Sequence, residues 1–64
     1  MEELLNKNIK LTTKNNLIIA GIVEDVFYPE ENETKEKSLL IKDNNTEILY
    51  EIFESEIKNV EKIN

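Results

Sequence analysis

Apolar and polar residues alternate over short stretches of this chain, and turn-forming residues separate the stretches. Ile9-Lys10-Leu11-Thr12-Thr13 opens with the period-two pattern of a half-buried strand. Lys14-Asn15-Asn16 follows, and asparagine tolerates the left-handed region that tight hairpins need. Leu17 to Tyr28 is long and rich in β-branched residues. One parity holds Ile18, Ala20, Ile22, Val26 and Tyr28, interrupted by Glu24; the other holds Leu17, Ile19, Gly21, Val23 and Asp25. A strand apolar on both faces at its start and polar further on is expected to bend strongly. Gly21, the only glycine, sits in its middle, where glycine permits a bend, a bulge or a close backbone approach.

Pro29 to Lys37 carries Glu30, Glu31, Glu33 and Glu36 and reads as an exposed, mobile loop. Ser38 to Lys42 reads as a third strand and Asp43-Asn44-Asn45-Thr46 as a hairpin turn. Glu47 to Phe53 is a fourth strand, with Ile48, Tyr50 and Ile52 on one face and Glu47, Leu49, Glu51 and Phe53 on the other. Glu54-Ser55-Glu56 is a tight turn into a closing strand, Ile57 to Ile63. Met1 to Lys7 reads as a short helical turn or a loose end that Leu4 and Leu5 dock on the body. The expectation is an all-β fold, a five-stranded bent antiparallel barrel with a short N-terminal helix at most. Closing the sheet removes the unpaired edges that an open sheet exposes.

Residues 1–64 make one domain, near the lower limit for independent folding. Cysteine and histidine are both absent, so neither disulfides nor a Cys/His zinc site staples it. Strand pairing and self-association are the remaining aids, which makes a homo-oligomer the expected state. The longest apolar run, Leu17 to Val23, falls far short of a membrane span. No positively charged leader precedes it, so a soluble, cytoplasmic protein is expected. The net charge is -6, and all eight basic residues are lysine. Without arginine, the usual phosphate and guanine reader, nucleic acid is not an expected partner.

The stretch from Asn8 to Asp25, a strand, a tight turn and a second strand with central Gly21 followed by Asp25, resembles the first motif of Sm-like proteins. Tyr50 to Val60, an apolar strand passing through a short turn into a final strand, resembles their second motif. The resemblance covers about residues 4 to 63. It implies an SH3-like, Sm-like small barrel that assembles by pairing the fourth strand of one subunit with the fifth of the next. Ile48, Tyr50, Ile52, Val60 and Ile63 would then mark the pairing edges, and Gly21 would be structural. The family's RNA site uses an aspartate and an asparagine after the second strand and an Arg-Gly pair before the last. Asp25 matches the aspartate, but Pro29 stands at the asparagine position and Phe53-Glu54 at the Arg-Gly pair. The resemblance therefore carries over no uridine pocket. Asp25 and Phe27 remain as residual RNA contacts, with Lys10 or Lys14 nearby in the pattern.

Catalysis is not expected. No imidazole or thiol activates the hydroxyls, and a chain this short hardly walls off a dry pocket. The glutamates after Pro29 lack the ordered spacing of a calcium loop, so no metal and no cofactor is expected. A partner surface is the sharper reading of the acidity. Glu24 and Asp25, then Glu30, Glu31, Glu33 and Glu36, then Glu54 and Glu56 with Glu51 beside them, form three acidic groups. On one face they would mimic a phosphate backbone and block a basic protein. The readings are thus a self-associating or protein-docking Sm-like module, a small acidic inhibitor, a weak RNA-binding ring, and a small-molecule sponge between subunits.

Overall fold

The computed structural model describes residues 1–63, and they form five antiparallel strands in one bent sheet. The strands are β1 (Asn8–Thr13), β2 (Ile18–Phe27), β3 (Ser38–Asp43), β4 (Leu49–Phe53) and β5 (Ile57–Lys62). Their order across the sheet is β4-β3-β2-β1-β5. The sheet therefore curls as a small barrel does, but its ladder does not close: β4 and β5 are the two outer strands. Helical structure is confined to 3-10 turns at Glu2–Leu4, Pro29–Glu31 and Glu54–Glu56, so the N-terminal segment is a single turn and not an α-helix.

The core is the inward parity of the strands. Ile9, Leu11, Ile19, Val23, Val26, Leu39, Ile41 and Ile52 are buried together. The cross-strand rung Val26, Leu39, Ile52 spans β2, β3 and β4, and the rung Leu11, Ile19 ties β1 to β2. Met1, Leu4, Tyr28, Tyr50, Ile57 and Val60 pack against this cluster. Burying a side chain of this size contributes about 1.5–3 kcal/mol, which is the main term available to a chain without staples.

β2 joins the two halves of the bend. Its first part pairs with β1 and its second with β3, overlapping at Gly21 and Ile22. The register slips between Val23 and Asp25, leaving Glu24 as the extra residue of a bulge. This bulge explains the mixed pattern of the strand. Ile18, Ala20 and Ile22 lie on the outer face, whereas Val26, of the same parity, turns inward and is buried. At the bulge the main chain of Val23 pairs elsewhere: its N–H donates to the Lys7 carbonyl at 3.0 Å and its carbonyl accepts from the Asn6 N–H at 2.8 Å.

Gly21 lies at the overlap of the two pairings, just before the bulge. It sits in regular register opposite Ile9 on one side and Asp43 on the other. A Cβ there would lie 2.0 Å from the Lys42 carbonyl oxygen and 2.7 Å from its carbon. Close approach of the β3 main chain is what demands glycine.

Two further boundaries differ from expectation. Glu47 takes a left-handed conformation, φ 62, and extends the β3–β4 turn, so Ile48 precedes β4 instead of lying in it. The Asp43 N–H still donates to the Ile48 carbonyl. The Pro29–Lys37 segment is tied down and not free. Glu31 accepts from the Tyr28 N–H at 3.0 Å, and the Asn32 carboxamide donates to the Glu36 carbonyl at 2.7 Å.

Candidate functional site: the outer edges and an acid–aromatic face

Two features stand out on the surface. The first is the pair of unpaired strands. β4 exposes Leu49 (55%) and, just before it, Ile48 (51%), while Ile63 is exposed beyond β5 (41%). Tyr50 and Ile52, however, point inward, with Ile52 in the core, and Val60 packs half-buried against it. The edge these residues offer is their main chain, not their apolar side chains. The segment from Glu47 to Ile57 contains Glu47, Glu51, Glu54 and Glu56 and no lysine. β5 carries Lys58 and Lys62 against one glutamate, Glu61. The edges are thus opposite in charge. Lysine on an edge strand discourages pairing with a like edge, and here only β5 has it.

The second feature lies on the outer face where β2, β3 and β4 run side by side. Phe27, Ser38 and Phe53 form one rung, and Asp25, Leu40 and Glu51 the next. Both outer strands of the trio therefore carry an acid two residues before a phenylalanine: Asp25 before Phe27, Glu51 before Phe53. Period two puts each pair on one face. Ser38 is fully buried, and its hydroxyl donates to Glu51 Oε2 at 2.7 Å. That bond holds an exposed carboxylate beside the two aromatic strands. The Asp25 carboxylate accepts from the Val26 N–H at 2.8 Å. Among the described residues, both tyrosines pack against the core and both phenylalanines stand outside that cluster. Phe27, the aromatic of the expected residual RNA contact, is half-buried, as is Phe53.

Three of the acidic residues are held by hydrogen bonds. Glu31 and Glu56 each reach back to cap their own 3-10 turn, at Tyr28 and Phe53. Glu36 accepts from both the N–H and the hydroxyl of Ser55, at 2.8 and 3.1 Å, and the Glu54 N–H donates to the Lys37 carbonyl at 2.9 Å. These bonds clamp the β2–β3 loop to the β4–β5 turn, the two places where the family pattern puts its RNA residues. Glu24, Glu30, Glu33 and Glu54 are exposed. Lys10 faces outward on β1 opposite Ala20 and Glu61, away from Asp25, and Lys14 lies in the β1–β2 turn.

Beside the β2–β3 loop, Glu2 is held down to about pKa 2, first by its own backbone N–H, then by the Tyr28 hydroxyl and the Lys37 ammonium 3.9 Å away. The same contact with Glu2 raises the Tyr28 hydroxyl. Lys37 also sits 5.8 Å over the Tyr28 ring. A partly open cleft of about 310 Å³ lies between the β1–β2 turn and the last 3-10 turn, with Leu17 and Ile52 as its apolar part. Among the described residues no group of three or more acidic side chains is arranged to hold a metal ion. No helix among them is long and apolar enough to cross a membrane.

No protein-family model, no curated protein and no solved structure matches this chain.

Proposed function

We propose that this protein is a non-enzymatic small-barrel module of Sm-like type that works by association with protein, and first with its own copies, through β4 and β5. The observation that carries the reading is the strand order, which leaves those two strands unpaired with acidic residues around one and lysines on the other. An unpaired edge is a template for another strand. Because β4 and β5 are different surfaces, their pairing is head-to-tail and gives a ring when the rotation closes. Leu49, exposed on β4, and Ile63, exposed beyond β5, would be covered in such a contact. The same pairing would offset the small core of a 64-residue chain.

Native mass spectrometry across a salt series tests the proposal. The expected result is a multiple of the 7.5 kDa chain mass that weakens with salt and in a Lys58→Glu, Lys62→Glu double variant. A complex indifferent to both salt and the double variant would remove the charged edges from the account.

A further inference from the structure

On the reading that β4 pairs with the strand of another copy, we infer that Glu56 is a built-in stop on that edge: its carboxylate occupies the Phe53 N–H and confines the incoming strand to Leu49 and Glu51. The Asp43 N–H donates to the Ile48 carbonyl, and the Glu54 N–H donates to the Lys37 carbonyl. In the register between them, Ile41 lies opposite Tyr50 and Leu39 opposite Ile52. Hydrogen-bonded and non-hydrogen-bonded pairs alternate along an antiparallel ladder, so Ile48, Tyr50, Ile52 and Glu54 bond β3. Leu49, Glu51 and Phe53 turn their N–H and carbonyl groups to the open side.

These three edge residues are not equivalent. The Phe53 N–H donates to Glu56 Oε1 at 3.0 Å. An incoming strand would set its carbonyl oxygen about 2.9–3.0 Å from the same nitrogen, so the carboxylate stands where that carbonyl would go. A bond to an ionised acceptor is also stronger than one to a neutral carbonyl. Among the described residues, no acceptor meets the N–H of Leu49 or Glu51 on the open side. The 3-10 turn Glu54–Glu56 starts directly after Phe53, and its third residue reaches back over that start. One bond therefore caps the turn and closes the end of the edge. The β5 edge is equally short. The Ile63 N–H donates to the Asn8 carbonyl, so by the same alternation Glu61 and Asn59 bond β1, while Lys62 and Val60 face outward. The register slips between Thr12 and Thr13 and leaves Lys58 without a β1 partner. Each edge thus presents two residues in regular geometry, Leu49 and Glu51 on β4 and Val60 and Lys62 on β5. A short edge limits indiscriminate pairing.

Amide hydrogen exchange read by NMR, from dilute to concentrated protein, tests the stop, with salt added where dilution alone does not separate the copies. In the unchanged protein, rising concentration should slow exchange at Leu49 and Glu51 and leave Phe53 as it is. Glu56→Ala should speed exchange at Phe53 in dilute protein and make its protection depend on concentration. It should also tighten self-association about fivefold, the worth of one added backbone hydrogen bond. Glu56→Gln keeps a side-chain oxygen acceptor, and Glu54→Ala removes the same charge from an exposed residue of the same turn; neither should expose Phe53 or tighten association. Because Glu56→Ala also removes a turn cap, the behaviour of Phe53 in the unchanged protein is a test on its own. Concentration-dependent protection of Phe53 in the unchanged protein, or equal tightening in all three variants, would overturn the stop and leave edge pairing standing. No concentration dependence at Leu49 or Glu51 in any of the four proteins would overturn edge pairing, and the stop with it.

Discussion

Replacing Gly21 with alanine adds one methyl group where the β3 main chain leaves no room. The new Cβ would sit 2.0 Å from the Lys42 carbonyl oxygen, 2.7 Å from its carbon and 3.1 Å from the Asp43 Cα. All three atoms are backbone, so no side chain can swing away; β2 and β3 must separate by more than an ångström. The strain falls where Gly21 pairs with Asp43 and where the Asn44 N–H donates to the Ala20 carbonyl at 2.9 Å. Overpacking of this kind costs about 1–3 kcal/mol, and a weakened backbone hydrogen bond adds about 1 kcal/mol. Alanine's narrower unfolded ensemble returns about 0.4–1 kcal/mol. The net loss is therefore about 1–3.5 kcal/mol. Domains carry roughly 0.05–0.15 kcal/mol of stability per residue, so for 64 residues this removes a large share of the total. Urea unfolding followed by circular dichroism measures it, with Ala20→Ser, on the outer face of the neighbouring position, as the near-neutral control. A Gly21→Ala midpoint within error of wild type would refute the close-approach argument.

Other expectations follow from the same contacts. Ser38→Ala removes the buried hydroxyl that bonds Glu51 and should lower stability by about 1 kcal/mol in the same urea assay. Leu49→Lys, at a position already 55% exposed, should leave the unfolding midpoint within about 0.5 kcal/mol while reducing the mass seen by light scattering. Glu2 is depressed from 4.5 to about 2 in the folded protein. Its contribution is therefore full above pH 4.5 and fades as the pH falls toward 2. Glu2→Gln should flatten the melting temperature against pH in that window, and a profile unchanged by the substitution would contradict the hold that its own backbone N–H, Tyr28 and Lys37 have on the carboxylate. Asp43, lowered by the N–H groups of Thr46 and Asn45, acts in the same direction; Asp43→Asn keeps the turn acceptor but removes its titration.

Much of the sheet was legible from alternation alone. Ile9 and Leu11, then Leu39 and Ile41, each lie at period two and are all fully buried. The turns at Asn15-Asn16 and Asp43-Asn44-Asn45-Thr46 also carry the residues that such turns require, with Asn16 at φ 70. The bulge at Glu24 was not legible, because one extra residue is defined only against the partner strand; it moved Val26 from the outer parity to the core. The Pro29–Lys37 segment reads as loose by composition, yet Glu36 bonds Ser55 nineteen residues away, a tie that no local pattern contains. The acid–aromatic pairs are plainly present as Asp25-Val26-Phe27 and Glu51-Ile52-Phe53. What makes them face one another is the β2–β3–β4 register, and that became visible only with the sheet in hand.

In the proposed assembly the unpaired β4 and β5 strands join copies of this chain. Light scattering on the eluting protein at tens of micromolar and low salt tests it most directly. The expected mass is several times 7.5 kDa; a strict monomer at every concentration reached would rule the assembly out.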